Sequence, residues 1–191
     1  MVVKEVNVAV TRGEANLALC FEDVVPVLCA PLAEPWQPAQ RVRAETGNIE
    51  LLRTMLLLDD GADSGSDENR DTDLQRIESK LNVLLDLVAR IFSVQVPLPT
   101  PIPLRLSASF VVVRGAGSVA PEQWVALEIY LHTKLPRCIH LLGKVTGDPD
   151  ADGNVTIALE PLSQALQDLI EKFIFRQHRR MVAYQRRSPK A

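Results

Sequence analysis

From Thr72 to Phe92 the apolar residues Leu74, Ile77, Leu81, Leu84, Val88 and Ile91 are spaced 3, 4, 3, 4, 3. This is an a/d heptad repeat, with Leu74, Leu81 and Val88 at a and Ile77, Leu84 and Ile91 at d. A helix packed only in its own chain's core shows a wider stripe that drifts with the 3.6-residue period. The stripe here is regular but also broad, because Leu85, Leu87, Phe92 and Val94 occupy e and g positions. A two-stranded coil would leave those side chains partly in water; more strands around the axis, or another helix packed on the flank, would bury them. Leu at a with Ile at d favours four parallel strands, so the pattern predicts a coiled-coil helix over 72–92 and self-association, with a tetramer favoured. Burying six such side chains is worth on the order of 10 kcal/mol before entropic costs.

The remaining patterns divide the chain into three regions. In 1–40, Val6, Val8 and Val10 alternate as in a strand, as do Leu17, Leu19 and Phe21. Prolines 26, 31, 35 and 38 follow; they are expected to break any long element and leave an extended arm. The region 41–95 reads as helical. Its first helix, 41–58, carries Val42, Ile49, Leu52 and Leu56 at helical spacing, weakened early by Gly47 and Asn48. The segment 59–69, DDGADSGSDEN, has five acids and no large apolar residue. It reads as an acidic linker to the heptad helix, and it lacks the ligand spacing of a calcium loop.

In 96–191 the period changes. The proline-rich VPLPTPIP, 96–103, ends the helix, and strand-like runs follow at 104–113, 123–132, 137–146 and 153–160. Turn signals such as RGAGS and GDPDADGN separate them, which predicts a small antiparallel barrel or sandwich. A last helix, 162–187, has Leu162, Leu166, Leu169, Ile170, Phe173 and Ile174 on one face, suited to plug or flank the barrel. The expected class is therefore α+β.

Composition narrows the chemistry. A net charge of −3 selects no partner by itself. Cys20, Cys29 and Cys138 form no CxxC pair and no even set, as expected of reduced thiols in the cytoplasm. Lys4 and Glu5 interrupt any signal-like run, and nowhere do about 18 apolar residues run together, so no membrane span is expected. His132, Cys138 and His140 do not complete a zinc ligand set, and no metal or other cofactor is predicted. No nucleophile elbow, P-loop, GxGxxG or HExxH occurs, which predicts a non-catalytic protein. Residues 172–191 hold seven Lys and Arg and no acid. Arg176, Arg179, Arg180, Arg186 and Arg187 are thus candidate contacts for an anionic partner, besides complementing a helix C-terminus. With only Tyr184 interleaved, nucleic acid is not indicated.

The order LRLSASF (104–110), PEQWVALEIYL, LLGKV, VTIALEPL and a helix ending FIFRQHRR resembles the PilZ domain, in particular its atypical members. That family is a bacterial β-barrel whose typical members bind cyclic di-GMP; in atypical members the barrel follows long helices and some form tetramers. The resemblance implies a PilZ-like barrel and a role in bacterial cyclic di-GMP-related signalling, with a signalling protein as partner. The family's ligand motifs are RxxxR before the barrel and [D/N]xSxxG on its first strands. The second falls on Arg105, Ser107 and Phe110, where Arg105 replaces the acid or amide and Phe110 replaces Gly. No RxxxR precedes the barrel, although Arg176 and Arg180 have that spacing after it. These departures predict an adaptor that does not bind cyclic di-GMP in the typical way. The alternative is a receptor with a rearranged site that uses the tail arginines.

Overall fold

The computed structural model describes residues 19–63, 98–115, 119–132 and 137–187, and, within the heptad segment, 77, 79–81, 83, 84, 87 and 88. Of 59–63 and 185–187 only the backbone is described. Six strands form a closed antiparallel barrel in the order β1-β2-β3-β6-β5-β4. They are β1 (Phe21–Leu32), β2 (Pro101–Leu106), β3 (Phe110–Arg114), β4 (Trp124–Ile129), β5 (Ile139–Val145) and β6 (Asn154–Leu159), with helices α1 (Pro38–Asp63) and α2 (Gln164–Arg187). The α+β class is as expected.

Alternation builds the interior. Leu104 and Leu106, Val111 and Val113, Val125, Leu127 and Ile129, and Ile139 and Leu141 are all buried, two residues apart along each strand. Gly143 continues the β5 series without a side chain, because a Cβ there would lie 2.5 Å from Ile157 Cγ2 and 2.7 Å from the Ala158 carbonyl oxygen. The tight turn before β6 uses Gly153 at φ +76°, a left-handed conformation that side chains disfavour.

Three expectations need correction. The prolines do not leave 21–32 as a loose arm; this segment is a 12-residue strand that closes the barrel. The barrel therefore draws on residues outside 96–191. Phe21–Pro26 pairs with β2 and Val27–Leu32 with β4, so each half of β1 has one ladder neighbour. A strand paired on one side only has alternate N–H groups outside any ladder, and Pro fits there. Second, the run 104–113 is two strands, β2 and β3, joined by a turn at 107–109. Third, the start of the acidic segment, 59–63, continues α1; the rest of that segment lies outside the described residues.

The two helices run parallel. Arg41 Nη1 meets Glu160 Oε1 at 2.7 Å just before α2, and 15 residues later in α1 the Leu56 carbonyl accepts from Arg176 Nη1 at 2.6 Å. Between these contacts Leu51, Leu52, Met55 and Leu56 of α1 and Leu166, Ile170, Phe173 and Ile174 of α2 are buried in the core they share with the barrel. Phe173 also meets Phe21 of β1, ring centroids 5.3 Å apart and tilted by 60°.

Candidate functional site

The residues that align with the family's second motif share one hairpin, and the fold employs each of them. Ser107 is buried, and its hydroxyl accepts from the backbone N–H of Phe110 at 3.0 Å and of Ser109 at 3.2 Å. Its own backbone N–H donates to the Phe110 carbonyl at 2.9 Å, so the side chain staples the β2–β3 turn. Phe110 is 1% exposed, and its ring fills space that a Gly would leave empty. Arg105 points outward from β2, opposite Glu22 on β1, and its Nε lies 2.7 Å from Glu22 Oε1. That is a cross-strand ion pair between directly opposed residues.

Beside the turn lies a groove whose other wall is α2, including Asp168, Glu171, Lys172 and Phe175. Asp168 accepts from Gln164 Nε2 and Glu171 from Gln167 Nε2, which holds both carboxylates in place. Two fixed carboxylates and one ammonium make a poor field for a phosphodiester. Sequence reasoning passed over these acids, since they stand some sixty residues from Ser107 and only the packing of α2 brings them near.

The tail arginines lie on α2, away from this turn in sequence. Arg176 donates to α1 as described, and Arg180 also has a partner within the fold. Arg179 is exposed. The side chains of Arg186 and Arg187 lie outside the described residues. Beyond Ile174 the buried stripe of α2 continues into Met181 and Tyr184, which are exposed.

Residues 77, 79–81, 83, 84, 87 and 88 of the heptad segment are helical. Ile77, Leu81, Leu84 and Val88 are 61%, 54%, 58% and 48% exposed, while Val83 and Leu87 are exposed beside them. Leu74 and Ile91 lie outside the described residues. A helix with this much apolar surface in water is unusual in a monomer.

Cys138, just before β5, and His140 on it lie side by side, with Sγ 3.5 Å from Nε2. Burial and the nearby Glu128 push the Cys138 thiol up, and burial alone raises Cys29 to about 11. No group of three metal-ligating side chains forms among the described residues. None of the helices described is long and apolar enough to cross a membrane.

Residues 52–187, covering α1 from its buried stretch onward, the heptad segment, the barrel from β2 and all but the tip of the tail, match the atypical PilZ domain, described as a cyclic di-GMP receptor. The chain belongs to the atypical PilZ family. A similar solved structure is a pathogenic protein from Xanthomonas campestris, a tetrameric PilZ domain self-assembled through a helical bundle. It is 23% identical over 86% of this chain and 90% of its own, with a TM-score of 0.65. No curated protein matches the chain. The barrel with flanking helices is thus the fold of this family, whose members are receptor domains.

Proposed function

We propose that this PilZ protein is a non-catalytic, oligomeric adaptor in bacterial cyclic di-GMP-related signalling, without typical binding of the dinucleotide. The observation that carries this reading is the exposed apolar series Ile77, Leu81, Leu84 and Val88. Each such side chain gains about 1.5–3 kcal/mol on burial, so four from each of several chains supply a strong drive to assemble. The helical-bundle tetramer of the Xanthomonas protein supports the same mode here. In this arrangement the heptad helix 72–92 assembles, with Leu74 and Ile91 extending the seam, and each barrel is left facing outward for a protein partner. The basic residues Arg179, Arg186 and Arg187 are candidate contacts for an acidic face of that partner.

Loss of typical nucleotide binding rests on Ser107 and Arg105 being engaged in the fold and on Phe110 standing where the motif has Gly. The alternative, a receptor with a rearranged site, is favoured by the description of the family as a cyclic di-GMP receptor. Sedimentation of the wild type at micromolar concentration tests the adaptor reading. A multimer is expected, and a monomer would sink it. Calorimetric titration with cyclic di-GMP at physiological salt separates the two readings: submicromolar saturable binding selects the receptor.

A further inference from the structure

We propose that the groove between the first half of α1 and the start of β5 is a binding site for a nucleoside monophosphate. The groove is about 570 Å³, within the range of about 300–1,000 Å³ usual for small-ligand sites. Trp36, Arg43 and Gly47 line it on the α1 side, and Arg137, Cys138 and His140 on the β5 side.

Its charge sets it apart from the other grooves of the barrel. The one beside Ser107 contains Asp168 and Glu171, and the one beside Arg105 contains Glu22, Asp23 and Asp150. Here no carboxylate lines the walls, although the chain as a whole is acidic at −3. Neither Arg43 nor Arg137 forms an ion pair among the described residues, so two guanidinium groups face one cavity uncommitted. The Cys138 thiol is pushed up by burial and by Glu128, so it stays uncharged at neutral pH; the carboxylate beside that wall is Glu128, whose Oε1 lies 3.9 Å from His140 Nδ1. A pair of arginine forks is suited to one phosphate, and a single indole offers one stacking face to one base.

The walls are held before any ligand arrives. Arg41 Nε donates to the Trp36 carbonyl at 3.1 Å while its Nη1 is tied to Glu160, which fixes the residue that carries the indole. Asn48, next to Gly47, is hydrogen-bonded to the backbone of His140 on the opposite wall. Gly47 is a poor helix former in mid-helix, and a Cβ built on it meets nothing within 4 Å. No packing constraint requires a glycine there; its effect is to keep the groove open.

Calorimetry of the full chain with GMP, AMP and inorganic phosphate, at about 150 mM salt, tests this. The expected result is saturable binding of both nucleotides at about 100 μM or tighter, with inorganic phosphate at least tenfold weaker. Gly47→Leu, whose side chain enters open space, should abolish binding. Arg43→Ala with Arg137→Ala should weaken it at least tenfold while leaving the thermal midpoint unchanged; this exposed pair decides if the leucine variant folds poorly. Absence of saturable heat at 1 mM nucleotide, wild-type affinity in the folded variants, or phosphate binding as tightly as GMP would each overturn the assignment.

Discussion

The side-chain amide of Asn48 pairs with both backbone polar groups of His140: its Nδ2 donates to the carbonyl at 2.7 Å, and its Oδ1 accepts from the N–H at 2.8 Å. Asn48 is 1% exposed and 92 residues distant in sequence, so one helical side chain completes the hydrogen bonding of a strand's outer edge. Asn48→Leu removes both bonds and leaves a buried N–H and C=O unmatched. It is expected to cost about 2–6 kcal/mol, at roughly 1–3 for each orphaned group. Asn48→Asp retains the acceptor but sets a carboxylate against the His140 carbonyl, and should also destabilise. Urea titration of both variants measures this; a loss below 0.5 kcal/mol for each, by the same scale, would show the pair to be incidental.

Legibility in the sequence followed the kind of signal available. The strands β4, β5 and β6 stood out because alternation is local, and α2 because its apolar face repeats at helical spacing. β1 was lost because Pro26 and Pro31 forbid a strand with two ladders, and only the closed topology shows that each half has one. Asn48 read as a weak point in a helix, since its partner lies in β5. The Ser107 segment aligns with a ligand motif in degenerate form, and only the structure shows its hydroxyl bonded to the backbone of its own turn. The uncommitted arginines opposite Trp36 come from two segments about 100 residues apart, and no motif spacing links them.

The proposed assembly through the heptad predicts what a charge in its seam would do. Leu81→Asp with Leu84→Asp places carboxylates in a seam with no partner for them, at a cost of several kcal/mol per chain. The double variant should sediment as a smaller species while its barrel keeps the wild-type circular dichroism. An unchanged sedimentation coefficient would refute this role for Leu81 and Leu84.

At the β2–β3 turn, Ser107→Ala frees the buried Phe110 N–H and the Ser109 N–H and should destabilise by about 1–3 kcal/mol. Phe110→Gly restores the family's residue but removes a buried ring, at an expected cost of at least about 3 kcal/mol. Neither change should create or remove cyclic di-GMP binding in calorimetry. Tight binding gained by Phe110→Gly would mean that the motif is blocked only by that ring.

The thiols give a pH signature. Burial raises Cys29 to about 11 from 9.0 in the open chain, so between these values the folded protein holds a proton that the unfolded chain has released. The stability associated with the neutral thiol is complete below pH 9 and is lost as pH rises through 11. Cys29→Ser should flatten part of this alkaline decline in thermal midpoint, and Cys29 should react with a disulfide reagent more slowly than a free thiol at pH 8. Rapid stoichiometric labelling of Cys29 in the folded protein would contradict the burial.

The end of α2 is a surface rather than part of the core. Among its described side chains the last buried ones are Phe173 and Ile174, while Met181 and Tyr184 on the continuing stripe are 49% and 73% exposed. Seven basic residues occupy 172–191; Arg176 ties the helix to α1 and Arg180 also has a partner within the fold, and both lie before residue 182. None of 182–184 is buried, so deleting 182–191 is expected to spare the described core. The thermal midpoint should stay within about 3 °C, equivalent to well under 1 kcal/mol for a domain of this size. The deletion should weaken association with an acidic partner surface, and the wild-type interaction should fall with added salt in a way the truncated form lacks. If the truncated chain instead loses its oligomeric state, Met181 and Tyr184 are covered by another subunit, and the tail serves assembly rather than an external partner.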